Sequence, residues 1–296
     1  MQLEVSPHQP VMLKEVLKWL GPRPGQIVLD CTLGMGGHAK AILKELGPDG
    51  LLLGVDKDEG ALEMARKYLA PFAKNARFFH ADYRDVESIL EEADVKGNKV
   101  DGILLDLGAS SLQFDSPERG FSFRQEGPLD MRMDSSQKVT AARLLEKLSE
   151  KELADIFKRF GEERWSRRIA RAIKRESPIE TTTQLANLIA RTVPGKRGRI
   201  HPATRVFQAL RIAVNQELES LEVFLGNCYR FQRPGGRTVA ISFQSLEDRI
   251  VKHAFLKGSR DGIYHILTKK PVQSSQEEIQ VNIRSRSAKL RAVERL

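Results

Sequence analysis

The chain has 296 residues, 41% of them hydrophobic, and a formal net charge of +9. This length suits one large α/β domain or a domain with an insertion, and the composition provides for a sizeable core. No apolar run approaches the roughly 20 residues that span a bilayer, and Met1 to Leu20 lacks a charged-then-apolar export signal. Two cysteines, Cys31 and Cys228, make neither a disulfide framework nor a zinc site. We therefore expect a reduced, cytoplasmic protein with no metal and no membrane partner.

The positive charge is concentrated in the middle of the chain. Residues 114–213 contain 21 Lys and Arg against 13 Asp and Glu, whereas the remainder contains 27 against 26. A concentrated excess of this kind indicates a polyanionic partner, while scattered basicity would be a device for solubility. The distribution predicts that nucleic acid binds the middle part of the chain.

The first 113 residues alternate short apolar strands with helices. Strands are predicted at 27–29, 51–55, 77–80 and 100–105, with helices from about Ala41, at 60–70 and at 86–92. Strands that alternate with helices predict a parallel, doubly wound sheet.

The alternation then stops and resumes. Residues 114–213 lack a clear strand, and capping boxes at Ser149 with Glu152 and at Thr181 with Gln184 predict two of several amphipathic helices. We predict an all-helical insertion at 114–213 within a sheet domain made of 1–113 and 214–296. The second part of that domain is expected to hold a long helix to about Leu225, a helix from a cap at Ser245 and Asp248 to about Gly258, and strands at 238–243, 264–268 and 287–293.

The loop after the first strand carries glycines at 34, 36 and 37. Glycine permits positive φ and lets the backbone approach a ligand above the sheet, although tight turning alone would also explain it. Asp56 ends the second strand, 22 residues after Gly34, where an acid commonly binds a ribose hydroxyl pair. The pattern G-x-G-G lacks the third glycine of a pyrophosphate site, which favours S-adenosylmethionine over NAD.

Two further segments contain candidate functional residues. Asp106 leaves the carboxyl end of the fourth strand, where open α/β sheets bind ligands, unless it only caps the next turn. The stretch from Arg119 to Asp134 mixes aromatic and basic residues, a combination that suits stacking on an unstacked base while its phosphates are held. The alternative is a structured loop whose Phe and Met side chains pack inward.

Basic residues also follow a helical spacing. Arg164, Arg168, Arg171 and Arg175 are predicted on one stripe of a helix, beside an apolar stripe that includes Trp165 and Ile169. A solvated face is the usual interpretation of such a stripe, but a second basic run from Lys196 to His201 favours RNA.

Taken in order, these segments match one family over nearly the whole chain. The matching stretches are His8–Met12, Gly34–His38, Asp106–Gln113, Arg119–Asp134, Ile200–Glu217, Ile241–Lys252 and Arg284–Arg291. The chain resembles the bacterial 16S rRNA (cytosine-N4)-methyltransferases, the RsmH/MraW family. One departure stands out, because Gln244 replaces the histidine of the family's Ser-Phe-His-Ser-Leu-Glu-Asp-Arg, so no histidine base is expected there.

The resemblance implies a class I methyltransferase (Rossmann-like) fold and methyl transfer from S-adenosylmethionine to the N4 amine of a decoding-centre cytidine in 16S rRNA, within the small ribosomal subunit. The implied cofactor contacts are Gly34, Gly36, Gly37, His38, Asp56, Tyr83, Asp106 and Gln113. Proton acceptors for N4 are sought among Asp106, Ser110, Ser111 and Asp130, with Asp106 favoured instead as a ligand of the cofactor's amino group. The expected RNA contacts are Arg119, Phe121, Phe123, Arg132, Arg164, Arg168, Arg171, Lys196, Arg197, Arg199 and His201.

Two other functions compete with methyl transfer. A dehydrogenase that uses NAD would need the missing third glycine and gives no reason for the basic insertion. A non-catalytic RNA-binding factor for ribosome assembly, with a vestigial cofactor site, would not require an intact stretch from Gly34 to Asp56.

Overall fold

A computed structural model of the chain describes residues 10–194 and 201–296. Contacts divide the chain into two compact units, one made of residues up to 108 together with 218–296 and the other of residues 109–217. The predicted insertion, 114–213, falls inside the second unit, which begins earlier and ends later than the sequence indicated.

The first unit is built on one sheet in the order β3-β2-β1-β4-β5-β8-β6, with β7 paired to β8 beside this path. Strands β1 to β5 pair in parallel, and β8 is antiparallel to both β5 and β6. This order is that of the class I methyltransferases, so the predicted fold class is confirmed. The strands are β1 Ile27–Asp30, β2 Leu51–Asp56, β3 Ala76–His80, β4 Val100–Asp106, β5 Gln232–Ser242, β6 Tyr264–Ile266, β7 Val272–Gln273 and β8 Lys289–Arg295.

Helices cover the sheet and form nearly all of the second unit. They are α1 Leu13–Leu20, α2 Gly37–Leu46, α3 Glu59–Tyr68, α4 Val86–Glu92, α5 Ser111–Asp115, α6 Ala141–Lys147, α7 Glu150–Gly161, α8 Ser166–Glu176, α9 Thr182–Thr192, α10 Ala203–Asn215, α11 Glu217–Asn227, α12 Ser245–Arg260 and α13 Gln276–Val281. None of these helices in the described part of the chain has both the length and the hydropathy to cross a bilayer.

Both faces of the sheet are buried. Successive residues of a strand point to opposite faces, so Leu29 packs in one cluster with Phe224 of α11 and Phe255 of α12, whereas Val28 packs in another with Ile42 of α2. Burial on both faces explains why the strands are continuous apolar runs that end in polar residues at one edge.

The second unit has its own core, in which Phe157, Ile169, Leu185 and Leu210 are fully buried. The capping boxes expected at Ser149 and Thr181 are both present. Each capping box provides hydrogen-bond partners for backbone N–H groups at the N-terminus of its helix, which would otherwise have none.

The long helix expected to reach Leu225 is two helices. Gln216 adopts a left-handed conformation with φ +52°, and the chain turns there from α10 into α11. The break is stabilised because the Arg211 guanidinium donates two hydrogen bonds, of 2.8 and 2.9 Å, to the Glu217 carboxylate. Apolar periodicity continues across the break, so the pattern alone could not show it.

The start of α12 also differs from the prediction. The chain caps α12 with Gln244 and Glu247, one residue earlier than the expected pair Ser245 and Asp248. Asp248 instead accepts hydrogen bonds from Arg291 of β8, the shortest at 2.7 Å. The helix runs on past Gly258 to Arg260, and α1, α5, α13 and β7 are elements that the sequence analysis did not predict.

Candidate active site

A glycine turn joins β1 to α2. Gly34 and Gly36 have φ of +52° and +84°, a region in which only glycine is at ease. A Cβ atom on Gly36 would lie 2.9 Å from Leu69 Cδ1, whereas one on Gly34 would meet nothing within 4 Å. Gly36 is therefore required by packing and backbone conformation, and Gly34 borders open space in which a ligand fits.

Asp56 braces this turn from the end of β2. Its Oδ2 accepts the Gly34 N–H at 2.7 Å and its Oδ1 accepts the Asp58 N–H at 2.9 Å. Burial raises the pKa of Asp56 to about 6, although these backbone hydrogen bonds oppose the rise. A carboxylate oxygen can accept two hydrogen bonds, so Asp56 retains capacity for a hydroxyl pair.

The side chains of His38 and Asp106 lie at the same edge of the sheet and have buried polar atoms that form no hydrogen bond within the described part of the chain. His38 Nε2, in the first turn of α2, lies 3.4 Å from Asp106 Oδ2 at the end of β4. Within the described residues, both ring nitrogens of His38 and Oδ1 of Asp106 are buried and lack a hydrogen-bond partner. Buried polar groups are nearly always hydrogen-bonded, so these three atoms mark a place that a polar ligand completes.

Asp30 is a member of this cluster that the sequence analysis missed. Only 1% of the residue is exposed, and its Oδ1 accepts the Thr32 N–H at 3.1 Å. Burial raises the pKa of Asp30 to about 7, against the opposing effect of His38 and with a smaller contribution from Asp106. The available signal was its position, since Asp30 ends an apolar strand as Asp56 and Asp106 do. No group of three His, Cys, Asp or Glu side chains in the described ranges could hold a metal ion.

Tyr83 follows β3 on the same edge of the sheet. Its half-buried ring packs edge-on against Phe224, with ring centroids 5.4 Å apart. The neighbouring Asp82 is fixed by ion pairs of 2.7 Å to Lys57 and 2.8 Å to Arg84. Burial opposes the charge of Asp82, but Lys57 holds its pKa below the usual range. Tyr83 is thus packed against α11, and its contact with the cofactor stays a prediction.

Three predicted site residues belong to the second unit and form the start of α5. Ser110 Oγ accepts the Gln113 N–H at 3.3 Å, and Gln113 Oε1 accepts the Ser110 N–H at 3.0 Å. Gln113 is only 3% exposed, and Ser111 is the first residue of the helix. The structure thus gives Gln113 a capping role that the sequence analysis did not predict, while its contact with the cofactor stays a prediction.

An ion pair orders the loop that begins at Arg119. Arg132 Nε and Nη2 donate to the two carboxylate oxygens of Asp130, each at 2.7 Å. Arg119 Nη2 donates to the carbonyl oxygens of Arg132 and Met133, both at 2.9 Å. The hydrogen bonds to Asp130 raise the pKa of Arg132. Both oxygens of Asp130 are thus held by Arg132, and its role as a proton acceptor stays a prediction.

Two aromatic residues of this loop pack against other rings of the second unit, as the alternative of a structured loop predicts. Phe121 is 5% exposed and lies edge-on to Phe114, with centroids 6.2 Å apart. Phe123 lies 4.8 Å from Phe207 and 4.7 Å from the ring of His201. Phe121 is therefore buried and Phe123 half-buried, and the stacking of either ring on a base stays a prediction.

The predicted arginine stripe lies mostly on α8. Ile169 and Ile173 are buried, whereas Arg168, Arg171 and Arg175 are exposed. Arg164 precedes the helix, which begins at Ser166, and its guanidinium carbon lies 5.4 Å from the centroid of the Trp165 ring. Arg171 pairs with Glu150 at 3.3 Å in an exposed contact of little energetic weight. Lys196, Arg197 and Arg199 lie outside the described residues.

The edge of the first unit fits S-adenosylmethionine. That cofactor carries an ammonium group, a carboxylate and a ribose diol, but no phosphate. Asp106 Oδ1 provides an unfilled acceptor for the ammonium group, the N-terminal turn of α2 favours a carboxylate, and Asp56 has acceptor capacity for the diol.

Comparison with known proteins places the chain in a family. A protein from Cyanothece sp., 51% identical over 98% of this chain and 95% of its own length, is named ribosomal RNA small subunit methyltransferase H. One from Syntrophotalea carbinolica bears the same name and is 48% identical over 100% of both chains. Among solved structures, a putative rRNA methylase from Clostridium thermocellum has a TM-score of 0.46 at 11% identity over 96% of this chain and 95% of its own, a likeness too low to carry weight. The model of the MraW methylase family matches residues 5–296, which rules out the dehydrogenase. The chain belongs to the MraW methylase family, and S-adenosylmethionine is its methyl donor.

Proposed function

We propose that this protein methylates the N4 amine of a cytidine in the decoding centre of 16S rRNA. The observation that carries the proposal is the pair His38 and Asp106, whose buried unfilled hydrogen bonds adjoin an open glycine turn. The names of the relatives, small-subunit rRNA methyltransferases, support rRNA as the substrate. We place the reaction in the cytoplasm, with the small ribosomal subunit as partner.

The residues at the sheet edge hold the cofactor in this proposal. When bound, S-adenosylmethionine supplies an electrophilic methyl group on a sulfonium. Asp106 accepts hydrogen bonds from the amino group, and Asp56 accepts them from the ribose while it keeps Gly34 in its turn. Asp106 and Asp56 would thereby fix the position of the methyl donor, and positioning would supply much of the rate because a sulfonium is already a strong donor.

The target amine needs an acceptor for its proton. The N4 lone pair is delocalised into the cytosine ring, so an acceptor that pulls on N–H helps the nitrogen to become pyramidal and attack. Asp130 is engaged by Arg132, and Asp106 is assigned to the cofactor. We therefore assign this role to the hydroxyl oxygens of Ser110 and Ser111, from which the proton passes to water.

The second unit binds the RNA in this proposal. Exposed arginines on α8, together with Arg164, neutralise phosphates, and each such contact adds to affinity and to its salt dependence. The target cytidine must leave its stack at a cost of roughly a few kcal/mol, which contacts with the phosphates offset.

Methyl transfer from radiolabelled S-adenosylmethionine to small subunits tests the proposal, followed by digestion and identification of the methylated nucleoside. We expect N4-methylcytidine. Asp106→Asn should weaken S-adenosylhomocysteine binding about tenfold or more, the cost of a lost charged hydrogen bond. Ser110→Ala and Ser111→Ala should lower kcat and leave that binding unchanged. A protein that binds rRNA but neither S-adenosylhomocysteine nor NAD would instead be an assembly factor with a vestigial site.

A further inference from the structure

A second groove lies in the first unit, away from the cofactor edge. It has a volume of about 370 Å³ and runs between α12 and β6, the strand at one margin of the sheet. Phe255 and Leu256 of α12 and Ile266 of β6 give it an apolar floor. Neither the glycine turn nor Asp30, Asp56 or Asp106 contributes to its lining, so it is not part of the site described above.

The rim of this groove is basic. Lys252, His265 and Lys269 are exposed around it, and no Asp or Glu lines it in the described part of the chain. The Arg291 side chain also lines the groove, but Asp248 compensates its charge through a hydrogen bond of 2.7 Å. Lys252 and Lys269 form no ion pair within residues 10–194 and 201–296, so two ammonium groups beside the apolar floor lack a counter-charge.

The local charge extends beyond the groove. Residues 218–296, which form α12, β6 and β8, contain 14 Lys and Arg against 8 Asp and Glu. Residues 1–108 contain 13 Lys and Arg against 17 Asp and Glu. The near-neutral charge of the first unit is therefore the sum of an acidic part, residues 1–108, and a basic part, residues 218–296. The basic part of the first unit therefore attracts a polyanion in its own right.

We propose that the groove binds one nucleotide of the RNA substrate, with the phosphate on Lys252 and Lys269 and the ribose or base on the apolar floor. This inference rests on the proposed function, since it assigns a further contact to the same RNA. Single-stranded nucleic acid is bound by basic grooves that also offer apolar or aromatic surface to the bases, and this groove has both features. An inorganic anion would use the lysines but leave the floor uncovered.

Two matched double variants test the inference. Lys252→Ala with Lys269→Ala removes the groove's lysines, while Lys257→Ala with Lys270→Ala removes two exposed lysines from α12 and the same loop that do not line it. Affinity for a full-length 16S rRNA transcript is measured from about 50 to 200 mM KCl. We expect the groove variant to bind about tenfold more weakly, with a salt slope smaller by about 1 to 2, and the control to stay within twofold of wild type.

Photo-cross-linking to rRNA that carries 4-thiouridine adds a positional readout. We expect cross-linked peptides that contain Leu256 or Ile266 in the wild type and in the control, and their loss in the groove variant. Equal affinities and slopes for the two double variants would overturn the inference. Lost methyl transfer with unchanged rRNA affinity and cross-links would also overturn it, and would point to a protein partner. If the wild type binds neither the transcript nor small subunits, the proposed function fails instead. S-adenosylhomocysteine affinity and melting temperature verify that each variant is folded.

Discussion

At the scale of single residues, the cofactor edge concentrates acidic groups in a small buried volume. Asp30 ends β1, between β2 with Asp56 and β4 with Asp106, so three carboxyl groups lie on neighbouring strands. Burial raises the pKa of Asp30 to about 7, and the nearby negative charges of Asp106 and Asp56 raise it further by smaller amounts. Such clusters are frequent at functional sites, where stability is given up for chemistry.

The substitution Asp30→Asn tests how much the ionised, buried carboxylate of Asp30 lowers the stability of the folded protein. The pKa of Asp30 rises from 3.8 to about 7 on folding, so the folded state favours the neutral acid. The neutral Asp30 carboxyl group therefore stabilises the folded wild type in full below about pH 4. This stabilisation is lost as the pH rises to about 7. Asparagine stays neutral, and we expect the variant to melt several degrees higher than the wild type at pH 8 and by a smaller margin at pH 5, at about 2–4 °C for each kcal/mol.

Asp49→Asn is the control, because Asp49 lies exposed in the turn before β2. It should show no such pH-dependent difference from the wild type. A melting difference for Asp30→Asn that is the same at both pH values would mean that ionisation of Asp30 does not limit stability.

Gln244 is the position at which the resemblance to the family implied a histidine. Its amide Nε2 donates to Glu247 Oε1 at 2.8 Å, and Glu247 Oε2 accepts the Phe243 N–H at 2.9 Å. The side chain at 244 thus helps to close the N-terminus of α12, a task that needs a donor rather than a base. We expect Gln244→Ala to lower the free energy of unfolding by about 1 kcal/mol and to keep methyl transfer within twofold.

Glu247→Ala provides the contrast, because Glu247 is 2% exposed and also accepts backbone N–H groups. We expect its cost in denaturant unfolding to exceed that of Gln244→Ala. A loss of methyl transfer by orders of magnitude in Gln244→Ala, with stability intact, would show that position 244 takes part in the reaction.

At the scale of elements, one buried amide joins the loop of Asp130 to α10. Asn215 is 1% exposed, its Oδ1 accepts the Met133 N–H at 2.7 Å, and its Nδ2 donates to the Met131 carbonyl at 2.8 Å. Met131 has φ +65°, a conformation that a non-glycine residue keeps only when its surroundings hold it. Asn215 thus helps to hold this loop in shape, together with Arg119 and the ion pair of Arg132 with Asp130.

Asn215→Ala leaves a buried donor and a buried acceptor unpaired, and we expect a loss of about 2–4 kcal/mol in unfolding free energy. Hydrogen exchange should rise first at residues 119–134. Asn187→Ala is the matched control, since Asn187 is exposed on α9, and it should change stability by less than about 0.5 kcal/mol. Equal effects of the two substitutions would show that Asn215 does not hold the loop.

What could be predicted from the sequence follows the range of the interactions. The strands β1 to β4 and the capping boxes of α7 and α9 were predictable, because they rest on local periodicity and on pairs three residues apart. The ion pair of Asp248 with Arg291 was not, because its partners lie 43 residues apart in the sequence. The break at Gln216 was not, because the apolar periodicity continues across it. The same limit applies to the candidate site. Asp56 and Asp106 could be predicted as site residues because each ends an apolar strand, whereas the unpaired ring nitrogens of His38 are visible only in the folded chain.

At the scale of the whole molecule, positive charge is spread over both units. Residues 109–217 contain 21 Lys and Arg against 14 Asp and Glu, and residues 218–296 add 14 against 8. Affinity for a polyanion grows with the number of phosphates that cationic side chains neutralise, and so does its salt dependence. A short strand reaches few of these side chains, whereas a folded rRNA presents phosphates to many.

We therefore expect assembled small subunits to be methylated at least tenfold faster, in kcat/KM, than a short oligonucleotide that contains the same cytidine. The rate with subunits should also fall more steeply with salt, because each phosphate contact contributes about 0.7 to 0.9 to the logarithmic slope. Replacing Arg164, Arg168 and Arg171 by Ser should flatten that slope and leave S-adenosylhomocysteine binding unchanged, since none of the three lies in the first unit. The measurement compares both substrates at matched salt from about 50 to 200 mM KCl. Equal rates and equal slopes for the two substrates would mean that the protein reads only the sequence around its target, and that the broad basic surface serves another purpose.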